Sequence, residues 1–105
     1  MPTLLWSLAK AGRRDPVEVW GPAGEHAALG TAAYTRHLEA AHAWDFASMG
    51  GHPGQSGART ITTEVPYDRT ATVYERNGVT ITSFPVIHML DGAVGYRLDY
   101  AGRSV

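Results

Sequence analysis

The 105-residue chain has no cysteine. That rules out disulfides, thiolate zinc sites and iron–sulfur clusters, and leaves histidine and the carboxylates as the side chains able to hold a transition metal. An excess of charge is also missing. Nine basic and ten acidic residues give a formal net charge of -1, so no overall positive field exists to hold a nucleic acid or an anionic membrane surface. No apolar run approaches the roughly 20 residues of a membrane span. The opening MPTLLWSLAKAGRRDP has neither the basic-then-apolar order nor the small-residue cleavage site of a secretion signal. These absences point to a cytoplasmic chain with no membrane partner.

What is present suits one small domain. Hydrophobic residues make up 44% of the chain, enough for a core, while the length is too short for two domains. In PTLLWSLAKAG, Leu4, Leu5, Leu8 and Ala11 recur at helical spacing, with Thr3 as N-cap and Gly12 as the stop. Asp15-Pro16 marks a turn, VEVW a short strand, and Gly21-Pro22-Ala23-Gly24 a loop. From Leu29 to Phe46, the set Tyr34, Leu38, Ala41 and Trp44 predicts one long helix laid on a core, with Arg36 and Glu39 in water.

SMGGHPGQSG is too rich in glycine for an element and reads as a loop. Beyond it RTITTEV, TATVYER, VTITSFPVI and AVGYRLDY read as strands. Asn77-Gly78 predicts a two-residue hairpin, because both residues tolerate positive φ. Ala101-Gly102 turns the chain into Arg103-Ser104-Val105, the start of a further strand. In AVGYRLDY, Val94, Tyr96, Leu98 and Tyr100 share one face, with Gly95, Arg97 and Asp99 on the other. The expectation is an α/β layered domain of two helices and five or six strands, mostly antiparallel in its C-terminal half.

Five histidines are available for chemistry. His37 and His42 in HLEAAH fall short of the metalloprotease H-E-x-x-H spacing. A five-residue step turns the second ring about 140° past a full turn, so the two face different ways and read as helix-surface residues. His52 in the glycine loop and His26 ahead of the long helix read as exposed loop residues. The Gly21–Gly24 spacing invites a phosphate-loop reading, but no GK[ST] follows and the dinucleotide fingerprint is not completed. Ser83 and Ser104 lack a G-x-S-x-G elbow. Asp91 and Asp99 are the acids nearest His88, with Asp99 mid-strand beside Arg97. His88 itself follows the β-rich run ending Pro85-Val86-Ile87, where a strand delivers its ring to a sheet edge. On these grounds alone it is either a metal donor or a satisfied structural histidine, since one imidazole is short of the three protein ligands of a catalytic zinc.

Taken together, PVEVWGPAG, LGTAAYTRHLEAAHAWD and NGVTITSFPVIHMLDGAVGYRLDYAGRSV resemble the middle of a metallo-β-lactamase-fold hydrolase, in the ribonuclease Z-like and arylsulfatase-like branch. The resemblance implies that residues 1–105 are a single incomplete domain, part of an αββα sandwich. It implies that His88 is the family's lone mid-chain metal ligand, and that SMGGHPGQSG lines the substrate entrance. The intact family uses two metal ions, usually zinc, to activate a water against a phosphoester, sulfate ester or lactone. The family's HxHxDH motif, its SGD aspartate and its last histidine are not in this sequence. Their expected positions lie before Met1 or beyond Val105, so the chain is expected to be an inactive fragment. The competing expectation is a non-catalytic α/β module, or half of a split protein, that associates through exposed strand edges.

Overall fold

The computed structural model describes residues 2–48 and 56–105, which form an α/β arrangement of three helices and six strands with two further short 3-10 turns. None of these helices is long and apolar enough to cross a membrane.

Helix α1 covers Pro2–Lys10, and Gly12, at φ 89°, takes the left-handed conformation just beyond it. Its buried stripe is Leu5 and Ala9, four apart, while Leu4 is 51% exposed and Ala11 faces solvent. The helix begins at Pro2, which puts Thr3 inside the first turn instead of at the cap. Ala9 joins Phe46 and Ala58 in the central apolar cluster, with Trp6 against it. The Arg59 guanidinium lies over the Phe46 ring at 3.7 Å, a stacked cation that keeps its charged head wet while covering apolar surface.

The long helix expected over Leu29–Phe46 is two helices, α2 (Thr31–Ala41) and α3 (Ala43–Ser48). The break falls at His42, where the backbone leaves helical geometry and Nδ1 lies 2.9 Å from the Leu38 carbonyl. The buried face also differs from the expected one. Tyr34 and Trp44 are exposed, and Ala33, Thr35 and Phe46 are buried. Small side chains let α2 approach its sheet closely, and the Thr35 hydroxyl sits 2.6 Å from that of Thr62. Glu39 is half-buried instead of wet, because its Oε1 accepts from the backbone N–H and the hydroxyl of Thr60.

Strands β1 (Val17–Pro22) and β2 (Thr60–Val65) pair in parallel, with Val19 opposite Thr62 and Pro22 opposite Val65. Strands β3 (Ala71–Arg76), β4 (Val79–Pro85), β5 (Val94–Tyr100) and β6 (Arg103–Ser104) form a second, antiparallel sheet in that order. The hairpins at Asn77-Gly78 and Ala101-Gly102 both have positive φ at each turn residue, the primed geometry that matches strand twist.

Alternation along β1 sets the layers. Val19 and Gly21 look towards α2, whereas Glu18 and Trp20 look towards the second sheet. There Trp20 meets Tyr74 edge-on, with ring centroids 5.4 Å apart, and Glu18 pairs with Arg76. The order is therefore helix, two-stranded sheet, four-stranded sheet. The assembly is extended for its length, with a radius of gyration of 15.8 Å against about 13 Å for a compact chain of this size.

Candidate functional site

The parallel pairing places the C-terminal ends of β1 and β2 on one side. The loop after β4 joins them there, because Gly92, at φ 117°, stacks on the loop that follows β1. A methyl group built at Gly92 would lie 3.2 Å from the Gly24 Cα and 3.4 Å from the Glu25 nitrogen. One rim of the molecule thus gathers Ala23 and Gly24, which follow β1, and, two residues on, His26. It also gathers the β4–β5 loop carrying His88 and Asp91.

His88 lies three residues beyond the end of β4, in the loop itself, so the strand stops earlier than the sequence pattern implied. The pairing with β5 ends at Pro85 opposite Val94, apart from one bond from the Val86 N–H to the Ala93 carbonyl at 3.3 Å. His88 is exposed, and among the described residues its ring makes no hydrogen bond or ion pair. Its neighbours are apolar and equally open: Ile87 is 104% exposed, Met89 94% and Leu90 67%. Nothing in the residue pattern announced this, because VIHML reads as the end of a strand.

Two glycines have a packing cause: Gly21, which the structure places inside β1 where a loop was expected, and Gly30, at the far end of the loop that follows β1. A methyl group at Gly21 would fall 2.2 Å from the Thr31 Oγ1, and one at Gly30 would fall 2.3 Å from the Ala23 carbonyl oxygen. The α2 N-terminus is thus seated directly on this loop. The Thr31 hydroxyl donates to the Pro22 carbonyl at 3.0 Å, and Glu64 from β2 accepts the Ala32 N–H at 2.9 Å. That carboxylate supplies the cap that Gly30 cannot give. Close helix–strand packing therefore accounts for the glycines at Gly21 and Gly30 without a phosphate.

Apart from His26 on the same rim, the other candidates lie elsewhere. His26 is exposed just ahead of the short turn Ala27–Leu29, His37 is exposed on α2, and His42 is half-buried at the α2–α3 break. His52 and most of SMGGHPGQSG lie outside the described residues. Ser83 is fully buried between the sheets, and its hydroxyl has no partner among the described residues. Ser104 and Arg97 both hydrogen-bond the Asp99 carboxylate. These two contacts, Ser104 first, hold that carboxyl below the usual carboxylate range.

Among the described residues no group of three histidines and carboxylates comes together. A catalytic zinc needs three protein donors, so the residues described do not by themselves fit the metal that the resemblance implies. His88 is available as one donor only.

No family model matches the chain. No curated protein matches it either.

Proposed function

We propose that this chain is the central part of a cytoplasmic, metal-dependent hydrolase of the metallo-β-lactamase fold. It would act on an ester-type bond in a small-molecule substrate, whether phosphoester, sulfate ester or lactone, with His88 as one of its zinc donors. The observation that carries this reading is the placement of His88. Its imidazole is exposed on the rim where the C-terminal ends of β1, β2 and β4 gather, with no hydrogen bond among the described residues. A ring in that state is free to bind a metal without first losing a protein partner. The layer order of helix, sheet and sheet is compatible with part of an αββα sandwich. This chain's own role is then to hold one imidazole at the rim, and no catalytic step is assigned to it alone.

The test is to carry the reading frame through its flanking DNA and express the longer product. The expected result is an HxHxDH motif ahead of this segment, an SGD aspartate after it, and hydrolysis of a phosphodiester or aryl sulfate. His88→Ala should then lower bound zinc and turnover together. A longer frame without those motifs, or a His88→Ala protein with full zinc content, overturns the reading. The second reading, a non-catalytic interaction module, is favoured by one observation: the apolar side chains of the four-stranded sheet are left open on the face turned towards β1.

A further inference from the structure

The turn between β3 and β4 carries chemistry that the hydrolase reading leaves unused, and we infer that Asn77 is a site of spontaneous deamidation and isoaspartate formation. Asn77 is the only asparagine in the chain, and a glycine follows it. Both residues are exposed. Among the described residues the Asn77 carboxamide has no hydrogen-bond partner. The peptide group between Asn77 and Gly78 has none either, through its carbonyl or its N–H. Only the strand pairing of Arg76 with Val79 closes the turn. A Cβ built on Gly78 would meet nothing nearer than the Tyr100 Cε2, at 3.8 Å, so the Gly78 nitrogen is open to approach.

The backbone is one rotation from the reacting geometry. Asn77 has φ 53° and Gly78 φ 76°, the type I′ arrangement. Turning over the free peptide between them converts I′ into II′, which leaves the φ of Asn77 positive and takes its ψ to about −120°. Both turns suit the strand twist, so the pairing of Arg76 with Val79 survives the flip. At that ψ the Gly78 nitrogen eclipses the Asn77 Cβ and comes up against Cγ, as closure of a succinimide ring demands. Hydroxide takes the Gly78 amide proton, the nitrogen attacks Cγ, and the Cγ–Nδ2 bond breaks. The departing nitrogen takes a proton back from water and leaves as ammonia. Water then opens the ring: at the Cγ carbonyl it gives aspartate, and at the main-chain carbonyl it gives isoaspartate, whose chain runs through Cβ and Cγ. The sum is one water consumed and one ammonia released, with no oxidant or reductant.

The products act on the contact that joins the two sheets. Arg76, next to the turn, donates to Glu18 of β1 at 3.0 Å, and its guanidinium lies 5.8 Å from the Trp20 ring centre. A new carboxylate at position 77 competes with Glu18 for that guanidinium. Isoaspartate also adds an atom to the backbone of a two-residue turn, which breaks the primed geometry. Deamidation therefore loosens β3 from β1, most of all in the isoaspartyl form.

Peptide mapping by mass spectrometry, on the purified chain aged at mildly alkaline pH, tests the inference. The expected result is progressive replacement of the Asn77 amide by a carboxyl, isoaspartate exceeding aspartate, at a rate proportional to hydroxide concentration. Asn77→Gly, which keeps a turn able to take positive φ, should abolish the product. The aged parent should then unfold at a lower urea midpoint than the fresh one, while aged Asn77→Gly keeps its midpoint. His88→Ala should convert as fast as the parent, since the inference does not rest on the hydrolase reading. A folded chain that retains the Asn77 amide while the urea-unfolded chain converts fully would overturn the inference, and so would a rate indifferent to pH. An aged, converted chain with an unchanged midpoint would overturn the effect on the sheets.

Discussion

The seat of α2 on the β1 loop can be broken and restored by a pair of substitutions. A methyl group at Gly21 falls 2.2 Å from the Thr31 Oγ1 and 2.8 Å from its Cγ2, well inside contact distance, so Gly21→Ala must push α2 away from β1. Overpacking of this kind costs about 1–3 kcal/mol. The reduced freedom of the unfolded chain returns roughly 0.4–1 kcal/mol, since Gly21 does not need positive φ. The net expectation is a loss of about 1–2 kcal/mol. Thr31→Ala alone removes the hydroxyl bond to the Pro22 carbonyl, worth about 1 kcal/mol. In the double variant both colliding atoms are gone and only the Thr31 Cβ remains, at 3.0 Å. Adding Gly21→Ala should then cost clearly less than it does in the parent, since only this one tight contact has to relax. Urea unfolding of the four proteins should give a coupling energy of about 1–2 kcal/mol. Strictly additive losses would show that the two residues do not meet, and that the glycine in β1 has another cause.

Three further outcomes are expected. Glu64→Ala should lose about 1 kcal/mol in urea unfolding by uncapping α2, with Glu64→Gln losing less, and an unchanged midpoint would refute the cap. Ser104→Ala should raise the Asp99 pKa in a carbon-detected NMR titration, because the Ser104 hydrogen bond is the first cause of its depression. The folded value lies below the unfolded one, so this stabilisation is complete above about pH 4 and fades as the pH falls through the folded pKa; an unmoved titration would contradict the assignment. Zinc added to this chain should bind no more tightly than to an ordinary surface histidine, since one donor stands where three are needed. A tight calorimetric site abolished by His88→Ala would show that other donors are recruited.

The elements were most legible where a short segment dictates its own backbone. Asn77-Gly78 needs nothing distant to form its turn, and strict alternation marked Val94–Tyr100 as a strand. The helix face was not legible, because the residues with the strongest apolar signal, Tyr34 and Trp44, were not those that a close-lying sheet admits. Closeness selected Ala33 and Thr35 instead, with a hydroxyl pair to Thr62 that no hydrophobic pattern encodes. Glu39 escaped for the same reason. A carboxylate on a helix reads as solvated until the partner N–H, here Thr60 from 21 residues away, is known. The parallel pairing of β1 with β2 joins segments separated by two helices, and leaves no local mark in either.

The rim poses the same problem more sharply. His88 was readable as a residue after a strand, but its position on the molecule is set by Gly92 resting on Gly24, a contact between two loops 68 residues apart. Each of those glycines has positive φ, so each reads locally as a turn residue and nothing more. Yet a side chain at Gly92 would be strained by its φ and would also press on the Gly24 backbone, which cannot swing aside as a side-chain tip can. The β4–β5 loop would then have to lift, and His88, four residues back along an unpaired stretch, would lift with it. The placement that makes His88 a candidate donor is therefore a property of the two glycines, and the histidine acquires its meaning only after the fold has brought them together.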